Sequence, residues 1–297
     1  MTLRRRWYLL STLTRRLSIG FMDKLKIGIP LYINTLPLLF YLPKENQRIE
    51  LMLEVPKKLN QLLRQNVLCA SLSSSIVYAK NPQEFYLLPD LSISAVGEVK
   101  SVVLYHKEDL QDLDGQPVGI TPETESSFWL LRVLLEEFIG VKPKYVELSK
   151  NWGALSDQER EELKGYLAIG DEALILQHKK DERYDITDLA ELWLKYTHFP
   201  FVFALFILKK EFISFKQALA DFCLNLYSAR AKAFSNLKEV VTHSHLHLPK
   251  DFVYNYLTHL EYDFSGLKQR AYLYFCEILY KKKLISYMPE LNFFPIG

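Results

Sequence analysis

Ile27-Gly28-Ile29-Pro30-Leu31-Tyr32-Ile33-Asn34-Thr35-Leu36-Pro37-Leu38 is a short apolar run that ends in an aromatic ring, an amide, a hydroxyl and a proline. The run Ile27–Ile33 is too short and too β-branched for a helix and reads as a buried strand. Pro37 cannot donate to a strand ladder, but it fits the first turn of a helix. The order is therefore strand, turn, helix, with Tyr32, Asn34 and Thr35 at the strand's C-terminal end. Open α/β sheets bind ligands at that end, and an uncharged amide and hydroxyl there suit a small polar ligand.

Outward from this stretch, strands and helices alternate. Ile49–Glu54 alternates as a strand, and Pro56 opens a helix through Leu59, Leu62 and Leu63. Val67–Ser71 reads as a short buried strand and Ser74–Ala79 as the start of a helix. Tyr86–Leu88, Ile93–Val96 and Val99–Tyr105 are strand-like. Asp112-Leu113-Asp114-Gly115-Gln116-Pro117 is a turn before a strand at Val118–Ile120. Ser126 or Ser127 then caps a helix over Phe128–Phe138. Tyr145–Glu147 and Tyr166–Ile169 read as strands, Asp185–Leu189 as a turn with short pairing, and Phe201–Leu208 as a strand. Beyond Phe215 the pattern is almost all helical. The alternation predicts parallel sheets covered by helices. Polar motifs fall on both sides of the Asp112–Pro117 turn, which predicts two α/β lobes with a cleft between them.

Composition narrows the function classes. The chain has 297 residues, room for two domains of ordinary size, and 49% of them are hydrophobic, enough for substantial cores. A net charge of +2 gives no sign of a nucleic-acid partner. The three cysteines, Cys69, Cys223 and Cys276, are widely spaced and form no Cys-x-x-Cys, which fits reduced, buried thiols in a cytoplasmic protein. No G-x-G-x-x-G or P-loop pattern is present, so a nucleotide-phosphate cradle is not expected. Residues 1–21 carry Arg4-Arg5-Arg6 and Arg15-Arg16 around a short apolar run. They read as an over-extended start or a disordered tail before Met22, with a membrane-touching helix as the alternative. No run approaches the roughly 18 apolar residues of a membrane span, so stable membrane insertion is not expected.

The strand exit Tyr32-x-Asn34-Thr35-x-Pro37 resembles that of the chorismate dehydratase family of the futalosine route to menaquinone. Ser73-Ser74-Ser75-Ile76-Val77-Tyr78-Ala79, Gly97-Glu98-Val99-Lys100-Ser101-Val102, Thr124-Glu125-Ser126-Ser127, Ile169-Gly170-Asp171-Glu172-Ala173-Leu174 and Phe199-Pro200-Phe201-Val202-Phe203-Ala204 match the same family in order. The resemblance spans roughly residues 25 to 285. It implies an α/β, two-lobed periplasmic-binding-protein-like fold of type II, with two crossover strands and a central cleft. Lobe one would hold 22–110 plus 204–297 and lobe two 111–203, with Val99–Tyr105 and Phe201–Leu208 carrying the crossovers. The family's second-lobe motif reads Ser-x-Thr-Ser; the hydroxyls of Thr124, Ser126 and Ser127 keep its chemistry while altering its geometry.

Each candidate residue has a structural and a functional reading. Ser73, Ser74 and Ser75 follow a strand and precede a helix, whose free N–H groups and dipole favour a carboxylate; a plain serine N-cap is the alternative. Thr124, Ser126 and Ser127 repeat this in the second lobe, and the pair would clamp a dicarboxylate such as chorismate. Asn34 reads either as an Asx-turn or as an amide for the substrate's hydroxyl or carboxylate. Asp171 reads as a helix N-cap or a cleft carboxylate, and the resemblance places Asn34 in the active site and adds Tyr32, Thr35, Gly97 and Ser101 as substrate-binding residues. His243, His245 and His247 have metal-like spacing, but no carboxylate or thiol closes a shell, so a solvated loop is the expectation. The implied enzyme is a cofactor-free, metal-free dehydratase that turns chorismate into 3-[(1-carboxyvinyl)oxy]benzoate. Its base is Asp171 or the substrate's own enolpyruvyl carboxylate. A solute-binding protein for a small carboxylate and the sister 1,4-dihydroxy-6-naphthoate synthase are the alternatives. The oligomeric state is not legible.

Overall fold

The computed structural model describes residues 24–43 and 46–296; the expectations for residues 1–21 lie outside them. Two sheets form the molecule, each built around a strand whose C-terminal end meets the cleft. In the first sheet, β1 (Leu25–Pro30) pairs in parallel with β2 (Ile49–Glu54) and β3 (Ala70–Ser74). Ile27 and Ile29 are completely buried. A Cβ at Gly28 would stand 2.8 Å from Leu59, Leu68 and Ser71, so glycine is what lets the helix Pro56–Arg64 press on this strand. β4 (Phe85–Ala95) belongs to the same sheet.

The second sheet comprises β5 (Val102–His106), β6 (Pro117–Ile120), β7 (Lys144–Glu147), β8 (Gly165–Ile169) and β9 (Asp185–Asp188), in the order β7-β6-β8-β5-β9. The chain then returns as β10 (Phe201–Lys209), antiparallel between β3 and β4. Through the short β11 (Leu260–Glu261) the first sheet closes in the order β11-β4-β10-β3-β1-β2. β10 in the first sheet and β5 in the second each run antiparallel to both neighbours, the two-crossover arrangement that the resemblance implies. The C-terminal helices, among them Lys216–Ser235 and Gly266–Lys281, return to the first lobe, and the latter packs on β10. One buried apolar cluster runs through both lobes, and a smaller one around Trp152 and Tyr166 covers the other face of the second sheet. Among the described residues no helix is long and apolar enough to cross a membrane.

Several boundaries differ from the sequence reading. β1 stops at Pro30, and Ile33–Thr35 forms a tight 3₁₀ turn because the chain must fold back before Pro37. The strand expected at Val67–Ser71 sits at Ala70–Ser74, since β10 extends its ladder through Ser73 and Ser74. Tyr86–Leu88 and Ile93–Val96 are one strand, with Asp90 at a positive φ of 50° where the pairing with β10 shifts register. The helix expected over Phe128–Phe138 is regular over Ser126–Val133 and continues as a π-helical turn to Ile139. The lobe boundary expected at 110 falls earlier: β5 pairs with β8 and β9, so residues 102–110 leave the first lobe. Phe201–Phe203 belong to β10 and hence to the first lobe, not the second. The crossovers are the short segments before β5 and before β10.

Asp188 ties these crossovers together. Its carboxylate accepts from the backbone N–H groups of Val99 at 2.9 Å and Lys100 at 2.6 Å in the first crossover. It also caps the helix Leu189–Thr197, which leads into the second, through Ala190 N–H and Glu191 N–H. Asp188→Ala leaves these donors without their acceptor, and denaturant unfolding should show a loss of about 3 kcal/mol. A loss under about 0.5 kcal/mol, the scale of an ordinary surface substitution, would contradict this role.

Candidate functional site

The turn after β1 is built by Thr35. Its hydroxyl lies 2.7 Å from the Pro30 carbonyl and 2.8 Å from that of Tyr32, so it folds the strand exit back on itself. Tyr262 donates its hydroxyl to the Asn34 carbonyl at 2.7 Å. The turn places the Asn34 side chain in the wall of the cleft, and its Oδ1 is buried with no hydrogen-bond partner. Leu72, Ile93, Val99, Val102, Ile169 and Phe203 give the cleft apolar walls. Ser101, Thr124 and Ser127 join Asn34 as its uncharged polar lining, and Thr124 Oγ1 is also buried without a partner. Apolar walls with a few unpartnered polar atoms suit a ring carrying polar groups.

The two serine runs meet, though not as open carboxylate sites. Ser126 Oγ accepts from the Ile76 backbone N–H at 3.1 Å and lies 3.2 Å from Ser75 Oγ. One N–H of the first lobe's helix start is therefore already taken by a hydroxyl of the second. Ser74 lines the cleft and accepts from Asn60 Nδ2 at 3.3 Å. Ser73 is buried within β3, its hydroxyl unpartnered, and does not line the cleft. Glu125, not a serine, precedes the helix Ser126–Val133, and its side chain makes no cap bond.

Instead the carboxylates of the second lobe dominate the geometry. Glu123 accepts from the Tyr32 hydroxyl on Oε2 and from Asn151 Nδ2 on Oε1 at 3.1 Å. Glu125 accepts from Asn60 Nδ2 on Oε2 at 2.7 Å, while Arg64 reaches its Oε1 at 3.2 Å. Asp171 accepts from the Ile33 backbone N–H on Oδ1 at 3.0 Å, and its Oδ2 lies 2.7 Å from His245 Nε2. Every one of these partners except Asn151 belongs to the first lobe. Both oxygens of each carboxylate are engaged, and together they hold the lobes shut.

Burial raises Asp171 and its neighbour Glu172 above the ordinary carboxylate range. Burial and the bond to Glu123 raise Tyr32, which keeps its hydroxyl a donor. The Tyr32 ring lies flush on Gly170, where φ is +59° and a Cβ would stand 2.9 Å from the ring.

The sequence-predicted residues therefore separate. Tyr32, Asn34, Thr35, Ser74, Ser101, Thr124, Ser126 and Ser127 line one cleft. Thr35 and Ser126 serve mainly to hold the turn and the lobes. Gly97 lies in the crossover near Leu194 at a φ of +85°, a turn residue away from the cleft lining. Asp171 is neither an N-cap nor part of the cleft lining; it bridges the lobes at the edge. His243, His245 and His247 are exposed in the loop before the helix Lys250–His259, and His245 makes one contact from that loop, to Asp171. Among the described residues no group of three or more His, Cys, Asp or Glu side chains is placed to hold a metal ion. The three thiols are buried, and burial pushes each up to about 12, so none is a ready nucleophile. Glu123, Asn60 and Arg64 escape the sequence reading, and Glu125 and His245 enter it without their cross-lobe role. The one available signal was Glu125 inside the Thr124–Ser127 motif.

Residues 25–281 match the family model described as menaquinone biosynthesis. The chorismate dehydratase of Thermus thermophilus is 34% identical over 262 residues, covering 82% of this chain and 93% of that protein. Among solved structures, a protein from Archaeoglobus fulgidus superposes with a TM-score of 0.65 at 16% identity, covering 89% of this chain and 100% of its own. The periplasmic aliphatic sulphonate-binding protein of Escherichia coli superposes with a TM-score of 0.61 at 13% identity, covering 91% of each chain. The structural likenesses establish the periplasmic-binding-protein-like fold.

The cross-lobe bonds have a direct consequence. Glu123→Ala, Glu125→Ala and Asp171→Ala combined should leave each lobe folded and let the cleft open. Small-angle scattering should then give a larger radius of gyration than the parent chain, with an unchanged far-ultraviolet dichroism spectrum. An unchanged radius would mean that apolar packing alone sets the angle between the lobes.

Proposed function

The chain belongs to the menaquinone-biosynthesis family and is an enzyme, and we propose that it is a chorismate dehydratase, a hydro-lyase that converts chorismate into 3-[(1-carboxyvinyl)oxy]benzoate and water. The observation that carries this reading is the 34% identity to a chorismate dehydratase across nearly the whole length of that relative. The cleft supports it, with apolar walls for a ring and unpartnered polar atoms at Asn34 and Thr124 for its substituents.

The chemistry asks little of the protein beyond position. The ring carbon bearing the enolpyruvyl ether loses its proton, the neighbouring carbon loses its hydroxyl, and the ring becomes aromatic. The departing proton is vinylogous to the ring carboxylate, so charge develops on that carboxylate in the transition state. Donors from Asn34, Ser101, Thr124 and Ser127 are the groups we assign to it and to the second carboxylate. Asn34 is no base, and the cleft's carboxylates already accept on both oxygens. The substrate's enolpyruvyl carboxylate therefore takes the ring proton and passes it to the departing hydroxide, which leaves as water. Closure around the apolar walls excludes bulk solvent while this happens. No step calls on a metal or organic cofactor. The buried, unpaired thiols of Cys69, Cys223 and Cys276 suit a reducing compartment, and we place the enzyme in the cytoplasm.

The test is incubation of the purified protein with chorismate and mass detection of a product lighter by one water. Asn34→Ala should fold normally and lose roughly 10²–10³ in kcat, the usual cost of one preorganised polar contact. Wild-type kcat in the folded variant would remove Asn34 from the site. No dehydration by the parent protein would overturn the assignment.

A further inference from the structure

The cleft lining is short of positive charge. Among the described residues that form it there is no lysine, arginine or histidine, while Glu123 and Glu125 are both present. A dicarboxylate brings two more negative groups into that space, and like charges at close range repel. Glu123 is bonded to neutral partners, the Tyr32 phenol and the Asn151 amide, which offer no counter-charge.

Glu125 is held differently. Two side chains of the helix Pro56–Arg64 reach it from the first lobe. Asn60 and Arg64 stand one helical turn apart and share a face. Asn60 is completely buried and donates Nδ2 to Glu125 Oε2 at 2.7 Å, and the same nitrogen lies 3.3 Å from Ser74 Oγ. At the rim, Arg64 donates Nη1 and Nη2 to Oε1 at 3.3 and 3.2 Å. Asn60 thus fixes where the carboxylate stands, and Arg64 supplies the opposite charge. Among the described residues Arg64 is the one lysine or arginine ion-paired with a carboxylate of the lining; Lys57 only borders the outer groove beside Glu125. A half-exposed pair of this kind adds little to folding stability. Its effect is on the field inside the cleft, where apolar walls screen charge poorly.

We infer that Arg64 sets the ligand charge that the cleft accepts: by offsetting Glu125 it admits a dicarboxylate to a cleft whose own wall is acidic. Arg64 is not part of the lining, so it acts through Glu125. The inference rests on the dicarboxylate reading of the site proposed above, and its test reads binding as well as turnover. Calorimetry with 3-[(1-carboxyvinyl)oxy]benzoate, the dicarboxylate product, measures binding alone. Arg64→Gln should raise its Kd, and the KM for chorismate, roughly tenfold, with a smaller change in kcat. Arg64→Lys keeps the charge and should recover most of that loss. Arg64→Gln combined with Glu125→Gln removes both charges and should recover it too, because the new amide still accepts from Asn60. A purely lobe-closing role for Arg64 predicts the reverse, since the double variant lacks the ion pair altogether and would bind no better than Arg64→Gln.

A parent-like Kd and KM in Arg64→Gln, or a double variant as weak as the single one, would overturn the inference and leave the reaction standing. The expected pattern of Kd values in a protein that leaves chorismate intact would uphold the inference and refute the reaction. A parent chain that neither binds the product nor dehydrates chorismate would overturn both.

Discussion

The closed cleft depends on three acidic side chains of the second lobe, Glu123, Glu125 and Asp171, each of which accepts on both oxygens. Carboxylates are costly to bury unless they are paired, and here all the partners but Asn151 are available only when the lobes come together. Tyr32, the Ile33 N–H, Asn60, Arg64 and His245 all approach from the first lobe. Arg64 offsets the charge of Glu125, and the oxygens of Glu123 and Asp171 are occupied by donors rather than left facing an anionic ligand. Opening exposes both sets of groups to water, which satisfies them again. A cleft held by polar pairs can therefore cycle, whereas one sealed by apolar packing alone would carry a larger hydrophobic cost on each opening.

Closure is hinged at a different point. Asp188 collects four backbone N–H groups, two from the first crossover and two from the first turn of the helix that leads into the second, so it fixes the joint between the lobes. The joint and the latch lie at different places in the chain and use the same chemistry, carboxylate to backbone or side-chain donor. Between them lies the apolar wall of Leu72, Ile93, Val102, Ile169 and Phe203. That wall lowers the dielectric around a dehydrating ring and makes each remaining polar contact count for more.

The sequence carries the fold through its alternation. The Ile27–Leu38 stretch marks the strand exit because a β-branched run followed by Pro37 allows few other structures. Asn34 is legible for the same reason, since a polar side chain at such an exit faces the ligand end of the sheet. The latch is not legible. Its pairs join residues 65, 74 and 138 positions apart, and no local pattern encodes which carboxylate meets which donor. His245 reads as a loop residue because it is half exposed at 50% and its partner lies in the other lobe. Ser126 reads as a ligand donor because a hydroxyl at a helix start is common to both roles. Only the docked lobes reveal that it satisfies Ile76 instead. The early lobe boundary is missed because β5 looks the same in sequence whichever sheet it joins.

With every cleft carboxylate bound to a donor, the central claim is that the protein supplies closure and orientation while the substrate supplies the base. Chorismate whose enolpyruvyl carboxylate is converted to a methyl ester tests this most directly. The ester keeps the ring, the hydroxyl and the ring carboxylate but cannot take the proton. Binding measured by calorimetry, followed by single-turnover mass analysis, should show an ester that occupies the cleft and is not dehydrated. Dehydration of the bound ester at a rate near that of chorismate would mean that a protein group takes the proton, and the account of the carboxylates as latches alone would be wrong.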